Sequence, residues 1–172
     1  YAVTPHEYLG AAWLADTATL DRVGRVSGLA DPAREEGRLP SRLHPRDRIV
    51  VGHLSTVPAE GDTLVVVSVG RAIAGHGRVV RPVALLRVDD VAAEVLRATV
   101  VHQFDETRVG DLVLVHEGAP ALPRGAARPV DDGAAGRLLG FVFTEPLYGT
   151  TDHAFVDLGA AAGVGVGDEL VG

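Results

Sequence analysis

Seven histidines, two aspartate doublets and three Gly-Asp pairs are the residues of this 172-residue chain whose types could do chemistry. Histidine and carboxylate together can hold a divalent metal or move protons. The histidines (His6, His44, His53, His76, His102, His116 and His153) show no His-x-His, His-x-x-x-His or HExxH spacing, so no metal site is expected. Asp89–Asp90 and Asp131–Asp132 suit a hard cation. A solvated turn or linker explains both doublets equally well, and "RVDDVA" reads as a hairpin turn. Ser27, Ser41, Ser55 and Ser68 lie in no Gly-x-Ser-x-Gly elbow. "GAAAGVGVG" (159–167) has the glycines of a dinucleotide loop without the helix that must follow one, so a Gly-rich turn is expected. "GRAIAGHGR" (70–78) lacks the Gly-Lys-Ser/Thr of a phosphate loop. No catalytic, cofactor-binding or metal residue is assigned, and the chain is expected not to be an enzyme.

The Gly-Asp pairs belong to a recurring pattern. Gly61-Asp62, Gly110-Asp111 and Gly167-Asp168 each open a short apolar run: "GDTLVVV", "GDLVLV" and "GDELVG". Glycine accepts the positive φ of a tight turn, and aspartate can hydrogen-bond the backbone two residues on. All six residues are therefore read as structural turns. Fifteen residues separate Asp47 from Asp62 and sixteen separate Asp152 from Asp168. "GRVSG" (24–28) precedes the first set as "GRLLG" (136–140) precedes the second. Landmarks matched in order predict an internal duplication whose second copy lacks a counterpart to 68–116.

The elements that must position these residues are mostly strands. "DRIVVGHL", "TLVVVSV", "GRVVRPVALLRV", "AEVLRATVVHQF" and "DLVLV" are β-branched runs bounded by turn residues. At the N-terminus, Thr4, Pro5 and Glu7 form a capping box with Pro at the first helical position. Tyr8, Leu9, Ala12 and Trp13 then recur at helical spacing, predicting an amphipathic helix that docks by its aromatic face. The expected organisation is an N-terminal helix within 1–21, a β-domain over 22–117, a Pro/Gly/Ala-rich linker over 118–135 and a partial second β-module over 136–172. The fold class is mostly β: a small β-barrel or sandwich-like module with a short N-terminal helix.

Composition narrows the partners. A net charge of −7 argues against nucleic acid and anionic membrane surfaces. Without cysteine there is no disulfide, thiol nucleophile or Cys-based zinc site. No apolar run approaches the ~20 residues of a membrane-spanning helix. The chain opens on Tyr1 rather than Met, so any signal peptide or lipid anchor is expected upstream.

The stretches "VTPHEYLGAAWLAD", "GRVSG", "DRIVVG", "PAEGDTLVVV", "GHGRVVRPVALLRV" and "VVHQFDETRVGDLVLV" resemble the region that follows the LysM domain in bacterial LysM-containing cell-envelope proteins. "GRLLGFVFTEPL" and "HAFVDLGAAAGVGVGDEL" resemble the start of that family's second β-module. The chain carries no LysM motif, so the resemblance does not bring LysM-type peptidoglycan binding to these residues. What it implies is an envelope-located, non-catalytic β-module. The function expected is a periplasmic or cell-envelope module that binds another protein, as an accessory subunit of a membrane complex. A peptidoglycan-associated glycan-binding module is the second reading, and a hydrolase with a scattered active site the third. Tyr8, Trp13, Phe141, Phe143 and Phe155 are the candidate interface residues, with the phenylalanines and Leu158 expected to form the buried face of the second copy. No cofactor is expected.

Overall fold

A computed structural model describes residues 3–20, 23–31, 42–52, 54–92, 95–116, 133–144, 147–149 and 152–171. Residues 118–132 of the expected linker, with the doublet Asp131–Asp132, lie outside these residues. Two compact units emerge: Trp13–Gly118, and Tyr1–Ala12 together with Ala119–Gly172.

The first unit is a closed antiparallel β-barrel of six strands. They are β2 (Gly24–Leu29), β4 (Arg48–Gly52), β5 (Thr63–Ile73), β6 (Gly77–Ala92), β7 (Val95–Gln103) and β9 (Leu112–Val115). Around the barrel they run β6-β5-β9-β2-β4-β7, and β7 pairs back onto β6 to close the circle. Closure removes the unpaired edges that an open sheet would leave. A three-residue strand β1 (Trp13–Ala15) adds to β6, and β3 (Arg42–Leu43) pairs with β8 (Thr107–Arg108).

Alternation along the strands fills the interior with Val26, Ile49, Val51, Leu64, Val66, Leu86, Val88, Ala98, Val100 and Val113. Strand β5 departs from simple alternation because it is buried on both faces. Leu64 and Val66 point into the barrel, whereas Val65 and Val67 join Ala15, Leu20, Val80 and Leu112 in a second cluster, with Trp13 packed against it. Pro82, which cannot donate to the ladder, pairs with Val67 where the β5–β6 register shifts.

Two expectations are corrected here. The N-terminal helix α1 runs only from Pro5 to Gly10, with the capping box in place: Glu7 N–H donates to Thr4 Oγ1 at 3.2 Å and Thr4 N–H to Glu7 Oε2 at 2.8 Å. Trp13 is not on that helix; it lies in β1 opposite Val80. A second short helix, α2 (Thr17–Leu20), then starts at Asp16, whose carboxylate accepts the Thr19 N–H at 2.6 Å. The second correction concerns "RVDDVA". Asp89 and Asp90 stand inside β6, with Asp89 at a β-bulge between the pairs Val88↔Ala98 and Asp90↔Arg97. Cross-strand partners hold them there: Thr99 Oγ1 donates to Asp89 at 2.6 Å, and Arg97 pairs with Asp90 at 2.7 Å.

The second unit contains α1, an antiparallel pair β10 (Leu138–Phe141) and β11 (Ala154–Val156), and a 3-10 turn at Ala160–Ala162. Phe141 stacks on Tyr148 with ring centroids 3.7 Å apart.

Candidate functional site

The three Gly-Asp pairs share one turn device with Asp47 and Asp152, found five times among the described residues. In each, an aspartate carboxylate accepts the backbone N–H three residues earlier, and the aspartate N–H donates to the carbonyl of that same residue. The side-chain bonds are His44 to Asp47 (2.9 Å), Ala59 to Asp62 (2.8 Å), Arg108 to Asp111 (2.7 Å), Gly149 to Asp152 (2.5 Å) and Gly165 to Asp168 (2.8 Å). The returning backbone bonds are 3.1–3.2 Å in all five. The residue before Asp47, Asp62, Asp111 and Asp168 has positive φ: Arg46 71°, Gly61 88°, Gly110 97° and Gly167 97°. This is the conformation of the third residue of a type II turn, where glycine is favoured. The carboxylate therefore clamps the turn that leads into it, rather than reaching two residues on.

In the barrel each turn is also bracketed to one buried valine. Arg46 N–H donates to the Val100 carbonyl (2.8 Å), and Val100 N–H donates to the Asp47 carbonyl (3.0 Å). Gly61 and Asp62 hold Val88 in the same way, and Gly110 and Asp111 hold Val26. These carboxylates are structural clamps. Burial pushes the Asp111 carboxyl upward from its ordinary range, opposed by the Arg108 N–H and guanidinium.

Other chemistry-bearing residues are dispersed. Among the described residues no three His, Asp or Glu side chains gather as a metal-ligand group. His102 packs edge-on against Phe104. A cleft of about 270 Å³ is lined by Thr17, Leu20, Arg25, Arg78 and Asp111. Its guanidinium groups are turned onto backbone, Arg25 to the Gly110 carbonyl at 3.3 Å and Arg78 to the Gly70 carbonyl at 2.7 Å. A second cleft of about 320 Å³ carries Arg46, Asp47, Arg48 and Arg97. Arg48 and Arg97 there are engaged by Asp89 and Asp90. Among the described residues neither lining holds a serine or a histidine.

The feature that stands out is a repeated one. Strand pair β10–β11 repeats the register of β2–β4 at three pairings: Val26↔Val51, Gly28↔Val50 and Leu29↔Ile49 correspond to Leu138↔Val156, Gly140↔Phe155 and Phe141↔Ala154. The register shifts between Val26 and Gly28 in one and between Leu138 and Gly140 in the other, with φ of 156° at Gly28 and 152° at Gly140. Ala30 N–H donates to the Arg48 carbonyl (2.7 Å), as Val142 N–H does to the His153 carbonyl (2.9 Å). Asp47 and Asp152 clamp the turns that open β4 and β11. Gly24 and Gly136 each lie under a leucine, Leu54 and Leu158, so close that a Cβ would collide with it.

The surroundings of the two pairs differ. In the barrel β2 is flanked by β9 and β4 by β7, and the inward residues Val26, Ile49 and Val51 are buried. Among the described residues β10–β11 is a two-stranded sheet. Leu138, at the place of Val26, is 58% exposed against 1%.

Of the interface residues expected from sequence, Tyr8 lies half-buried on α1 and Trp13 half-buried in β1. Phe141, Phe155 and Leu158 are half-buried, and Phe143 is 51% exposed, so it does not belong to a buried face. Sequence reasoning missed the clamps at Asp47 and Asp152. "HPRD" and "GTTD" ahead of an apolar run were the available signals. No helix among the described residues is long and apolar enough to cross a membrane. Comparison with protein-family models, curated proteins and solved structures finds no match to the chain.

Proposed function

We propose that this chain is a non-catalytic structural module of the bacterial cell envelope that binds another protein, as an accessory subunit on the periplasmic side of a membrane complex. The observation that carries the binding part is the β10–β11 sheet, two-stranded among the described residues. It repeats an element that the barrel buries, and it leaves Leu138 in water where Val26 is enclosed. An apolar strand pair with open edges is a surface for another polypeptide. The non-catalytic part rests on the aspartates, each of which in the Gly-Asp turns accepts a backbone N–H with one carboxylate oxygen. The envelope location rests on the resemblance carried by the Gly-Asp turns and apolar strands.

A wall-associated, glycan-binding reading has one observation in its favour. The Phe141–Tyr148 stack leaves Tyr148 45% exposed, with Phe143 exposed as well, and flat aromatic faces suit sugar rings. Fractionation of the source cells together with sedimentation of the purified chain with purified peptidoglycan tests both readings. The protein-binding module is expected in the envelope fraction and in the supernatant of the peptidoglycan spin. Recovery in the cytoplasm would overturn the location, and stoichiometric co-sedimentation would favour the glycan reading.

A further inference from the structure

The barrel records what covers a β2–β4 pair. On the outer edge of β4 lies β7, antiparallel, with Arg48↔Thr99, Ile49↔Ala98, Val50↔Arg97 and Val51↔Leu96. Leu96, Ala98 and Val100 of β7 enter the interior, and the Val100 N–H closes on the Asp47 carbonyl at 3.0 Å. In the second unit His153, Ala154, Phe155 and Val156 hold the places of Arg48, Ile49, Val50 and Val51, and Asp152 holds that of Asp47. The outer edge of β11 has no strand against it among the described residues.

We infer that this edge is a strand-addition site. It takes an extended strand of another polypeptide, antiparallel, in the position that β7 occupies on β4. Backbone pairing runs over His153–Val156, and the Asp152 carbonyl receives an N–H of the incoming strand as the Asp47 carbonyl receives that of Val100. Main-chain hydrogen bonds supply affinity in this mode, and alternate side chains supply selection. The incoming strand therefore carries apolar residues at alternate positions, as β7 carries Leu96, Ala98 and Val100, facing Leu138 and Val156. Charge points to a neutral or basic partner rather than a second copy. The described residues from 133 onward hold Asp152, Asp157, Asp168 and Glu169 against a single arginine, Arg137, and the whole chain carries −7. Like-charged copies repel one another. β7 itself meets this description, with Arg97 on its outer face opposite Val50.

The inference deepens the protein-binding reading above and rests on it, but its test is independent of cellular location. The probe is the peptide VLRATVVHQ, the chain's own Val95–Gln103, titrated into the isotope-labelled 172-residue chain. The control is the same peptide with proline in place of Ala98 and Val100, which cannot complete the ladder. Expected are saturable shifts in the amide spectrum and at least about tenfold slower amide exchange, confined to Asp152–Val156 and absent with the proline peptide. Four results would each overturn the site: no response at about 1 mM peptide, an equal response to the proline peptide, a response at Ile49–Val51 instead, or a chain already dimeric in sedimentation with Asp152–Val156 protected before peptide is added. A cytoplasmic location would remove the envelope reading and leave this result standing.

Discussion

Gly61, at the turn into β5, and Val88, on the neighbouring strand β6, are tied to one another: the Gly61 N–H donates to the Val88 carbonyl at 2.9 Å, and the Val88 N–H returns to the carbonyl of Asp62, the next residue, at 2.9 Å. The bracket requires Gly61 to sit at φ 88°, and nothing lies within 4 Å of the place a Cβ would take. A side chain there would strain the backbone without a clash. Gly61→Val and Gly110→Val should each destabilise the barrel by about 1–3 kcal/mol. Gly61→Asn should cost less, because asparagine tolerates left-handed backbone. Urea denaturation checks the order, and equal losses for Val and Asn would refute the conformational cause.

The aspartate clamps should rank by burial. Asp47 is 3% exposed, whereas Asp62 is exposed. Asp47→Ala leaves the His44 N–H without its acceptor in a part-buried site and should lose about 2–3 kcal/mol. Asp62→Ala exposes the Ala59 N–H to water and should lose about 1 kcal/mol or less. Thermal and chemical unfolding of the two variants gives the comparison; the reverse order would contradict it.

The barrel class and the glycine turns were legible because their signals are local. Only certain residues accept positive φ, and "TLVVV" or "DLVLV" can be little but strand. The capping box at Thr4 was legible for the same reason. What failed was decided far away in sequence. Asp89 and Asp90 look like a turn until Arg48 and Thr99 are brought beside them by the β4–β7–β6 pairing. Helical spacing extended α1 to Trp13, but β6 offers Val80 as a strand partner and draws that residue into β1. The order of strands around the barrel is a matter of closure, which no single segment encodes. The duplication lay between these cases. Its landmarks could be read in sequence, and its meaning came only when the bulges at Gly28 and Gly140 proved to fall at matched positions.

Gly24 and Leu54 offer a test of packing. A Cβ at Gly24 would come within 2.8 Å of Leu54 Cγ, and the Gly52 carbonyl lies 3.1 Å away. Gly24→Ala should destabilise by about 1–3 kcal/mol through overpacking. Adding Leu54→Ala should recover part of that loss, giving a coupling energy of about 0.5 kcal/mol or more in a double-mutant cycle. Strict additivity would show that the two residues do not meet.

Acid should loosen the β10–β11 pair. The Arg137 backbone N–H, with help from its guanidinium, holds the Asp157 carboxyl below its ordinary range. A carboxyl lowered in the folded state contributes stability above its unfolded pKa, and that contribution is lost as pH falls through the folded value. Amide exchange at Arg137 should therefore rise, relative to its intrinsic rate, below about pH 4. Asp157→Asn should abolish the dependence. Asp111 works in the opposite direction: its carboxyl is raised by burial, so its contribution is most favourable when protonated and declines as pH rises through the upper carboxylate range. Asp111→Asn should flatten that decline in barrel stability.

One strand pair occurs twice, enclosed in the barrel and, among the described residues, two-stranded in the second unit. Hydrogen–deuterium exchange on the intact chain, compared between β4 and β11, tests it most directly. Ile49, Val50 and Val51 lie between β2 and β7, whereas Ala154, Phe155 and Val156 pair on one side only among the described residues. Exchange over Ala154–Val156 should be faster than over Ile49–Val51 by about a hundredfold or more. Equal, slow exchange in the two strands would contradict it.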